Sequence, residues 1–246
     1  MIEQISIDLT NYCSKQCSFC YNLSKKDGSS LWKPSEVVDF AMDCINHGVK
    51  AISLGGGEPF EYDGIFDVIQ KLYPLCYLTV TSNGFPFNNN VVWKKLKQHH
   101  PDKIHITIHY PDSEAEVVRV IKQVKGIESL GIKSGVNLLI DVNKLESAKK
   151  TYDRLNNYLS PDQIILVPQR YSNTPFPKDL AYVTSKRPFQ SPSCLLKCEK
   201  PSHFASVSWD KKVNFCSFAL GKQPLLELTF NGLCNALALV NFEKCS

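Results

Sequence analysis

Up to about residue 168, short apolar runs rich in β-branched residues alternate with longer stretches whose apolar positions recur every three or four residues. The runs predict six strands, at residues 5–9, 51–55, 77–84, 103–110, 134–141 and 163–168. The longer stretches predict helices at 34–48, 63–73, 90–99, 113–130 and 143–159. Because a helix separates each strand from the next, the strands should pair in parallel with the helices outside the sheet.

This alternation predicts an α/β fold, and both a doubly wound sheet and a partial barrel fit it. In either architecture, ligands bind at the carboxyl ends of the strands. Two unusual stretches fall at that edge. NYCSKQCSFCYN (11–22) follows the first strand, and GGGEP (55–59) follows the second. We therefore expect a functional site there.

The alternation stops near residue 171. The stretch that follows is rich in Pro and Ser and is typical of an ordered loop or linker. Residues 205–218 then predict a hairpin with its turn at DKK, and residues 232–245 predict a last short helix. We expect a core domain at 1–170 and a small extension at 171–246.

Composition and charge are ordinary for a globular protein. The chain has 246 residues, 43% of them apolar, and a formal net charge of +4 from 28 basic and 24 acidic residues. This charge is too small to indicate nucleic-acid or membrane binding by itself. The first residues lack a basic segment before an apolar stretch, and no apolar run approaches the length of a membrane helix. We expect a cytoplasmic protein that binds neither nucleic acid nor membrane.

The chain contains ten cysteines, a number that calls for an explanation in a cytoplasmic protein. Because the cytosol keeps thiols reduced, metal binding or catalysis is a better interpretation than a disulfide framework. Three cysteines lie at 13–20 and five at 194–245. The two isolated ones, Cys44 and Cys76, are interpreted as buried apolar residues.

The first group has the spacing C-x3-C-x2-C, formed by Cys13, Cys17 and Cys20. A structural zinc site needs four ligands, so zinc would require a distant fourth residue. A 4Fe–4S cluster held by three thiolates would instead leave one iron open to a reactant. Both alternatives remain open on spacing alone.

An aromatic residue, Phe19, stands just before the third cysteine, and GGGEP ends the second strand. In this combination the first 170 residues resemble the radical SAM superfamily. The resemblance implies a partial (β/α)6 barrel, a 4Fe–4S cluster bound by Cys13, Cys17 and Cys20, and S-adenosylmethionine on the open iron. It also implies that the cofactors together generate a 5′-deoxyadenosyl radical, which abstracts a substrate hydrogen.

The resemblance also implies roles for residues at the strand ends. Family members often carry Ser and Asp where this chain has Thr107 and His109, which is a departure from the pattern. The residues expected to contact S-adenosylmethionine are Phe19, Gly55, Gly56, Gly57, Glu58, Pro59, Ser82, Asn83, Thr107 and Asn137. The candidate catalytic residues at the open end of the barrel are Arg170, Tyr21 and His109, with Tyr110, Asp141 and Tyr171 nearby.

The second cysteine group surrounds the predicted hairpin and resembles the start of the SPASM and twitch extensions of the same superfamily. Lys211 stands where those extensions place a turn glycine. The resemblance implies an auxiliary iron–sulfur cluster with Cys198, Cys216 and Cys245 as ligands. The fourth position is left to Cys194, to Cys234 or to the substrate. The alternatives are a cap with buried thiols and a zinc site.

These features together predict a radical SAM oxidoreductase or maturase that draws electrons from a flavodoxin-like or ferredoxin-like donor. A ribosomally made peptide is the preferred substrate, to be oxidised or crosslinked. The alternative is dehydrogenation of a small molecule such as an aminocyclitol or sugar. A non-catalytic metal-binding module is the remaining interpretation, and GGGEP argues against it.

Overall fold

The computed structural model describes residues 1–171, 174–192, 197–243 and 245. Its strands are β1 (Gln4–Thr10), β2 (Ala51–Gly56), β3 (Tyr77–Ser82), β4 (Lys103–Ile108), β5 (Lys133–Ile140), β6 (Ile164–Pro168), β7 (Phe204–Val207), β8 (Lys212–Asn214) and β9 (Gln223–Pro224). Its helices are α1 (Pro34–Asn46), α2 (Ile65–Leu72), α3 (Asn90–Leu96), α4 (Glu114–Ser129), α5 (Leu145–Leu155), α6 (Pro177–Val183) and α7 (Phe230–Ala238). All six predicted strands and five predicted helices of the first 168 residues are confirmed.

The described chain forms two compact units. The first contains residues 1–102 and 200–245. Its strands lie in the order β3-β2-β1-β7-β8-β9, in which the first four are parallel and β8 and β9 are antiparallel to their neighbours. The second unit contains residues 103–199, with β4, β5 and β6 parallel and in sequence order. The predicted division into a core at 1–170 and an extension at 171–246 stays a prediction.

The two faces of the parallel strands in the first unit differ sharply. Ile5, Ile7 and Leu9 of β1 alternate with polar residues and are at most 1% exposed. The equivalent positions of β2 and β3 are also aliphatic and fully buried. Because successive side chains of a strand point to opposite faces, one face of this sheet is an aliphatic core and the other is polar. Burial of the aliphatic face is the main source of stability.

The helices begin and end at ordinary signals. Pro34 occupies the first turn of α1, where the carboxylate of Glu36 accepts a hydrogen bond from the Lys33 amide at 2.9 Å. The Ser113 hydroxyl caps α4 by accepting from the Glu116 amide. Among the described residues, no helix combines the length and the apolar character that crossing a bilayer requires.

The hairpin predicted near residue 210 is confirmed by the antiparallel pairing of β7 with β8. Lys211 has a φ of 57°, so this lysine adopts the left-handed conformation that a turn glycine would favour. The hairpin is held to the segment before α1 through Trp32, whose indole Nε1 donates to the Ser208 carbonyl at 3.1 Å. The Lys211 ammonium also pairs with Glu36 at 2.9 Å.

Two expectations for the C-terminal third were wrong, and one short element was missed. The stretch after residue 171 is not entirely a loop, since it contains α6, where Asp179 accepts a hydrogen bond from the Phe176 amide. A third strand, β9, was missed because it is only two residues long. The last helix ends at Ala238, so Cys245 lies beyond it rather than at its end.

Candidate active site

The three-cysteine stretch forms a loop that folds back on itself directly after β1. The Cys13 amide donates to the Lys25 carbonyl at 3.0 Å, and the Lys25 amide donates to the Asn11 carbonyl at 2.9 Å. The Asn11 side chain accepts from the Ser29 amide at 2.6 Å. These bonds close residues 11–29 into a fixed loop, which we call the cysteine loop, and they present its thiols at the carboxyl end of β1.

GGGEP holds the start of the cysteine loop. The Gly57 amide donates to the Thr10 carbonyl at 2.6 Å, and the Glu58 amide donates to the Tyr12 carbonyl at 2.9 Å. A Cβ on Gly57 would lie 2.1 Å from the Tyr12 carbonyl oxygen, whereas one on Gly55 would meet nothing nearer than 3.4 Å. The last two glycines therefore admit the loop backbone, and the Gly57 and Glu58 amides are engaged within the chain.

Glu58 connects the second and third strand ends from a fully buried position. Its carboxylate accepts hydrogen bonds from the Ser82 hydroxyl at 2.8 Å, the Asn83 amide at 2.7 Å and the Phe60 amide at 3.1 Å. Burial raises the pKa of Glu58 to about 7 although these three donors favour the ionised form. The carboxylate thus fixes Ser82 and Asn83 beside the cysteine loop.

Asn83 reaches the first cysteine. Its side-chain Nδ2 donates to the Cys13 sulfur at 3.4 Å, and the backbone amides of Lys15 and Gln16 also bond this sulfur. Burial raises the pKa of the Cys13 thiol, and these N–H donors oppose that shift. N–H donors around a sulfur stabilise a thiolate and are among the factors that tune iron–sulfur clusters.

The other two cysteines of the loop are half-buried, and the Cys20 amide donates to the Cys17 carbonyl at 3.1 Å. Three soft sulfur donors on one loop suit an iron–sulfur cluster. In the chain as described, no three His, Cys, Asp or Glu side chains are placed around a position for a single metal ion.

The remaining site residues of the first unit flank this loop. Pro59 opens a short 3-10 helix, in which the Glu61 carboxylate accepts from the Ser14 amide at 2.9 Å. Tyr21 follows Cys20 directly, and its ring lies 4.6 Å from that of Phe218. Phe19 lies between Cys17 and Cys20 on the same loop.

The second unit contains the predicted residues of the fourth to sixth strands. Thr107 and Asn137 are register partners on β4 and β5. The side-chain oxygen of Asn137 lies 2.9 Å from Nδ1 of His105, a buried histidine whose pKa burial lowers to about 4. His105 is therefore neutral near pH 7, and its Nδ1–H donates to Asn137.

Three further candidates follow strands of this second unit. His109 comes directly after β4, where its backbone amide donates to the buried Glu116 carboxylate at 2.7 Å. Arg170 is half-buried and lies two residues after β6, and Tyr171 next to it has a φ of 67°. These positions agree with the expected placement at strand ends, while their catalytic role stays a prediction.

The C-terminal cysteines fall into different parts of the chain. Cys216 follows β8, and a bridge between Leu220 and Glu243 returns the C-terminal segment with Cys245 to this neighbourhood. Cys234 is exposed on α7 and acts electrostatically on Cys44 of α1. Cys198 belongs to the second unit, and Cys194 lies outside the described residues.

Two buried polar residues near these strand ends were missed. His105 shares the alternating face of Thr107 and His109, so the same period-two pattern could have found it. Asp8 is a carboxylate inside a predicted strand, only 3% exposed, and a charge in an apolar run is the signal that was overlooked.

Comparisons with known proteins identify the family to which this chain belongs. The family model of the radical SAM superfamily matches residues 7–144, more than half of the chain. Among curated proteins, a probable GTP 3′,8-cyclase of Sulfurisphaera tokodaii is 26% identical over 168 residues, covering 65% of this chain and 51% of that protein. A probable GTP 3′,8-cyclase of Sulfolobus acidocaldarius is 30% identical over 134 residues, 52% of this chain and 42% of that protein. The chain thus spans about half the length of these curated relatives.

Solved structures share the fold at lower identity. Streptococcus suis SuiB bound to S-adenosylmethionine has a TM-score of 0.69 at 15% identity, covering 88% of this chain and 60% of that one. Native anSMEcpe with bound AdoMet and a Cp18Cys peptide has a TM-score of 0.65 at 12% identity, covering 94% and 80%. These matches confirm an α/β fold with a mostly parallel sheet. The region matched by the family model contains both the cysteine loop and the GGGEP strand end, and the chain belongs to the radical SAM superfamily.

Proposed function

We propose that this protein cleaves S-adenosylmethionine reductively and uses the resulting radical to oxidise or crosslink a ribosomally made peptide. The observation that carries the proposal is the pair of backbone hydrogen bonds, at 2.6 and 2.9 Å, that joins GGGEP to the cysteine loop. They place the two motifs that the chemistry needs at one edge of one sheet.

Family membership implies a 4Fe–4S cluster and S-adenosylmethionine. Cys13, Cys17 and Cys20 would hold the cluster, and the bound cofactors would supply a 5′-deoxyadenosyl radical. An ammonium only donates hydrogen bonds. Since the Gly57 and Glu58 amides are engaged within the chain, the backbone carbonyls of the glycine segment are the groups proposed to bind the amino group of S-adenosylmethionine.

The other predicted residues keep proposed roles that fit their positions. Ser82 and Asn83 are fixed by Glu58 and orient the groups around the cysteine loop. Thr107 and Asn137 are proposed to contact the cofactor, and His109 and Arg170 to act on the substrate. Tyr21 is proposed to close the site beside the cysteine loop and exclude water from the radical.

A peptide substrate is supported by the solved structures. SuiB has been solved bound to the precursor peptide SuiA, and anSMEcpe has been solved with bound peptides. A second candidate is a small molecule, since the curated relatives are named GTP 3′,8-cyclases. Dehydrogenation of an aminocyclitol or sugar belongs to this same small-molecule class.

The two candidates are separated by following the abstracted hydrogen. We expect reconstituted enzyme, reduced with dithionite, to form 5′-deoxyadenosine that carries deuterium when a fully deuterated random peptide library is supplied. Deuterated GTP and a deuterated aminocyclitol are tested in parallel as small-molecule substrates. In every case mass spectrometry measures the deuterium content of the 5′-deoxyadenosine. Label from a small molecule alone would replace the peptide with the second candidate.

An auxiliary iron–sulfur cluster is the next part of the proposal. Support comes from the Leu220–Glu243 bridge, which brings the Cys216 and Cys245 segments together, and from the contact of Phe218 with Tyr21 of the cysteine loop. Cys198 and Cys194 remain proposed ligands. Cys234 is exposed on α7 next to Cys44, which makes it the weaker choice for the fourth position. The likeness to SPASM and twitch extensions rests on these residues.

Replacing Cys216 by Ala is expected to halve the iron content, from about eight to about four atoms per chain, because one of two 4Fe–4S clusters is lost. Reductive cleavage of S-adenosylmethionine should persist while substrate oxidation is lost. Iron analysis and product assays measure the two effects, with Cys76→Ala as the control. Wild-type protein with only four irons would contradict the auxiliary cluster.

The last parts of the proposal are the electron donor and the cellular compartment. A small flavodoxin-like or ferredoxin-like protein is proposed as the one-electron reductant, and the cytoplasm as the compartment in which the clusters stay reduced. No role in binding nucleic acid or membranes is proposed.

A further inference from the structure

The polar face of the first unit carries a row of hydroxyl groups. The register aligns Ser6 of β1 with Ser53 of β2, Ser53 with Thr79 of β3, and Ser6 with Ser206 of β7. Three of the four side chains are half-buried, and no hydrogen bond joins Ser6, Ser53 or Thr79 to another side chain among the described residues. The interior of a (β/α)8 barrel is normally filled with branched aliphatic side chains. The hydroxyl groups of this face can instead form hydrogen bonds with polar groups.

Asp8 stands two residues beyond Ser6 on the same face, nearer the cysteine loop. The residue is only 3% exposed, and no described residue donates a hydrogen bond to its carboxylate. A buried carboxylate that accepts no hydrogen bond is costly, and native proteins rarely retain one without a use. The groups that act electrostatically on Asp8 are Lys222, which favours the ionised form, and Asp210, which opposes it.

An opening lies beside this carboxylate. Its register partner on β2 is Gly55, and a Cβ built on Gly55 would lie 3.4 Å from Asp8 Oδ1. The missing side chain therefore leaves room next to the carboxylate oxygen, on a strand that ends in GGGEP. Glycine inside a strand often marks a place where a ligand comes close.

We infer that Asp8 anchors a cationic group of the substrate, an alkylammonium or guanidinium, while the hydroxyl row of Ser6, Ser53 and Thr79 lines the polar surroundings of that group. This inference rests on the proposed function in that it names the chemical class of the substrate. An ammonium supplies both the charge and the N–H donors that the carboxylate lacks. For a peptide substrate the group is a Lys or Arg side chain, and for a small molecule it is an amine.

The pH dependence of stability gives a first test. Burial raises the pKa of Asp8 from its ordinary value to about 6. Because the folded state then binds the proton more tightly than the unfolded state, the Asp8 contribution to stability falls as the pH rises through about 4 to 6. We expect Asp8→Asn to unfold at a higher urea concentration than wild type above about pH 6, with the difference shrinking on acidification. A less stable Asp8→Asn protein would make Asp8 structural and overturn the inference.

Ligand binding gives the decisive test on the reconstituted holoenzyme with S-adenosylmethionine. We expect n-butylammonium to raise the urea midpoint of the wild type, n-butanol to leave it unchanged, and Asp8→Asn to lose the response to the amine. Asp67→Asn, on the exposed side of α2, is the matched control and should keep the wild-type response. Lys222→Gln should enlarge the rise of the urea midpoint on addition of the amine, because the variant removes a cation that competes for Asp8.

Two results would overturn the subsite: an amine response that Asp8→Asn retains, or no amine response in a wild-type enzyme that cleaves S-adenosylmethionine. The test stays separate from the proposed function, because the amine response is an equilibrium measurement that needs no turnover. A wild-type protein that binds the amine but never cleaves S-adenosylmethionine would remove the proposed function and leave the subsite in place.

Discussion

Replacing Cys17 by Ala should abolish reductive cleavage of S-adenosylmethionine. Only three cysteines lie on the cysteine loop, so the loss of one leaves two ligands for the cluster. Replacing a residue that only hydrogen-bonds to a metal ligand typically lowers metal affinity or activity about 10- to 100-fold. Loss of a ligand itself should therefore lower the rate of S-adenosylmethionine cleavage by more than about 100-fold. Anaerobic iron and sulfide analysis, together with 5′-deoxyadenosine formation, measures the effect.

Cys44→Ala is the matched control. Cys44 is fully buried in α1, and burial raises the pKa of its thiol to about 12, so it stays a neutral thiol near pH 7. Its removal should cost no more than about 1–2 kcal/mol of stability through a small cavity and leave the cluster content unchanged. Persistent 5′-deoxyadenosine formation by a Cys17→Ala protein without a cluster would refute the proposed mechanism.

Replacing Gly57 by Ala should release the cysteine loop and with it the cluster. The new Cβ would lie 2.1 Å from the Tyr12 carbonyl oxygen. Because the main chain fixes the positions of both atoms, neither can move away without a shift of the backbone. Separating them breaks the hydrogen bonds from the Gly57 and Glu58 amides to the loop. Strain and two lost hydrogen bonds together predict a loss of about 3–5 kcal/mol in unfolding free energy. Urea denaturation and iron content provide the measurement.

The neighbouring glycine provides the comparison. A Cβ on Gly55 meets only Asp8 Oδ1, at the ordinary contact distance of 3.4 Å, so Gly55→Ala should fold and keep its cluster. The two variants differ by two positions and make the same chemical change. Equal iron content in both would show that the loop does not depend on the close approach at Gly57.

The periodic spacing of apolar residues predicted most of the fold. The strand pattern of β1 to β6 follows directly from alternating aliphatic residues that are almost fully buried in the structure. The cysteine spacing and GGGEP likewise placed two motifs at adjacent strand ends, which β1 and β2 confirm by pairing in parallel. Both signals are local in sequence, and parallel topology then brings them together.

What sequence could not supply are roles that depend on tertiary neighbours. The glycine run predicts a place where a ligand approaches the backbone, whereas the missing Cβ of Gly57 admits the chain's own Tyr12 carbonyl. Glu58 serves as an acceptor for Ser82 and Asn83, which are 24 and 25 residues away. The two-residue strand β9 gave no periodic signal at all.

The pairing of β7 with β1 has a consequence for how the protein is made. Residues 1–102 and 200–245 complete one unit, so all of residues 5–203 must leave the ribosome before Gln4 meets Phe204. Until then, the strand that precedes the cysteine loop presents an unpaired edge to other chains. Such a long-range closure is slow and exposes the nascent chain to aggregation, so iron–sulfur assembly on this loop is best timed after release from the ribosome.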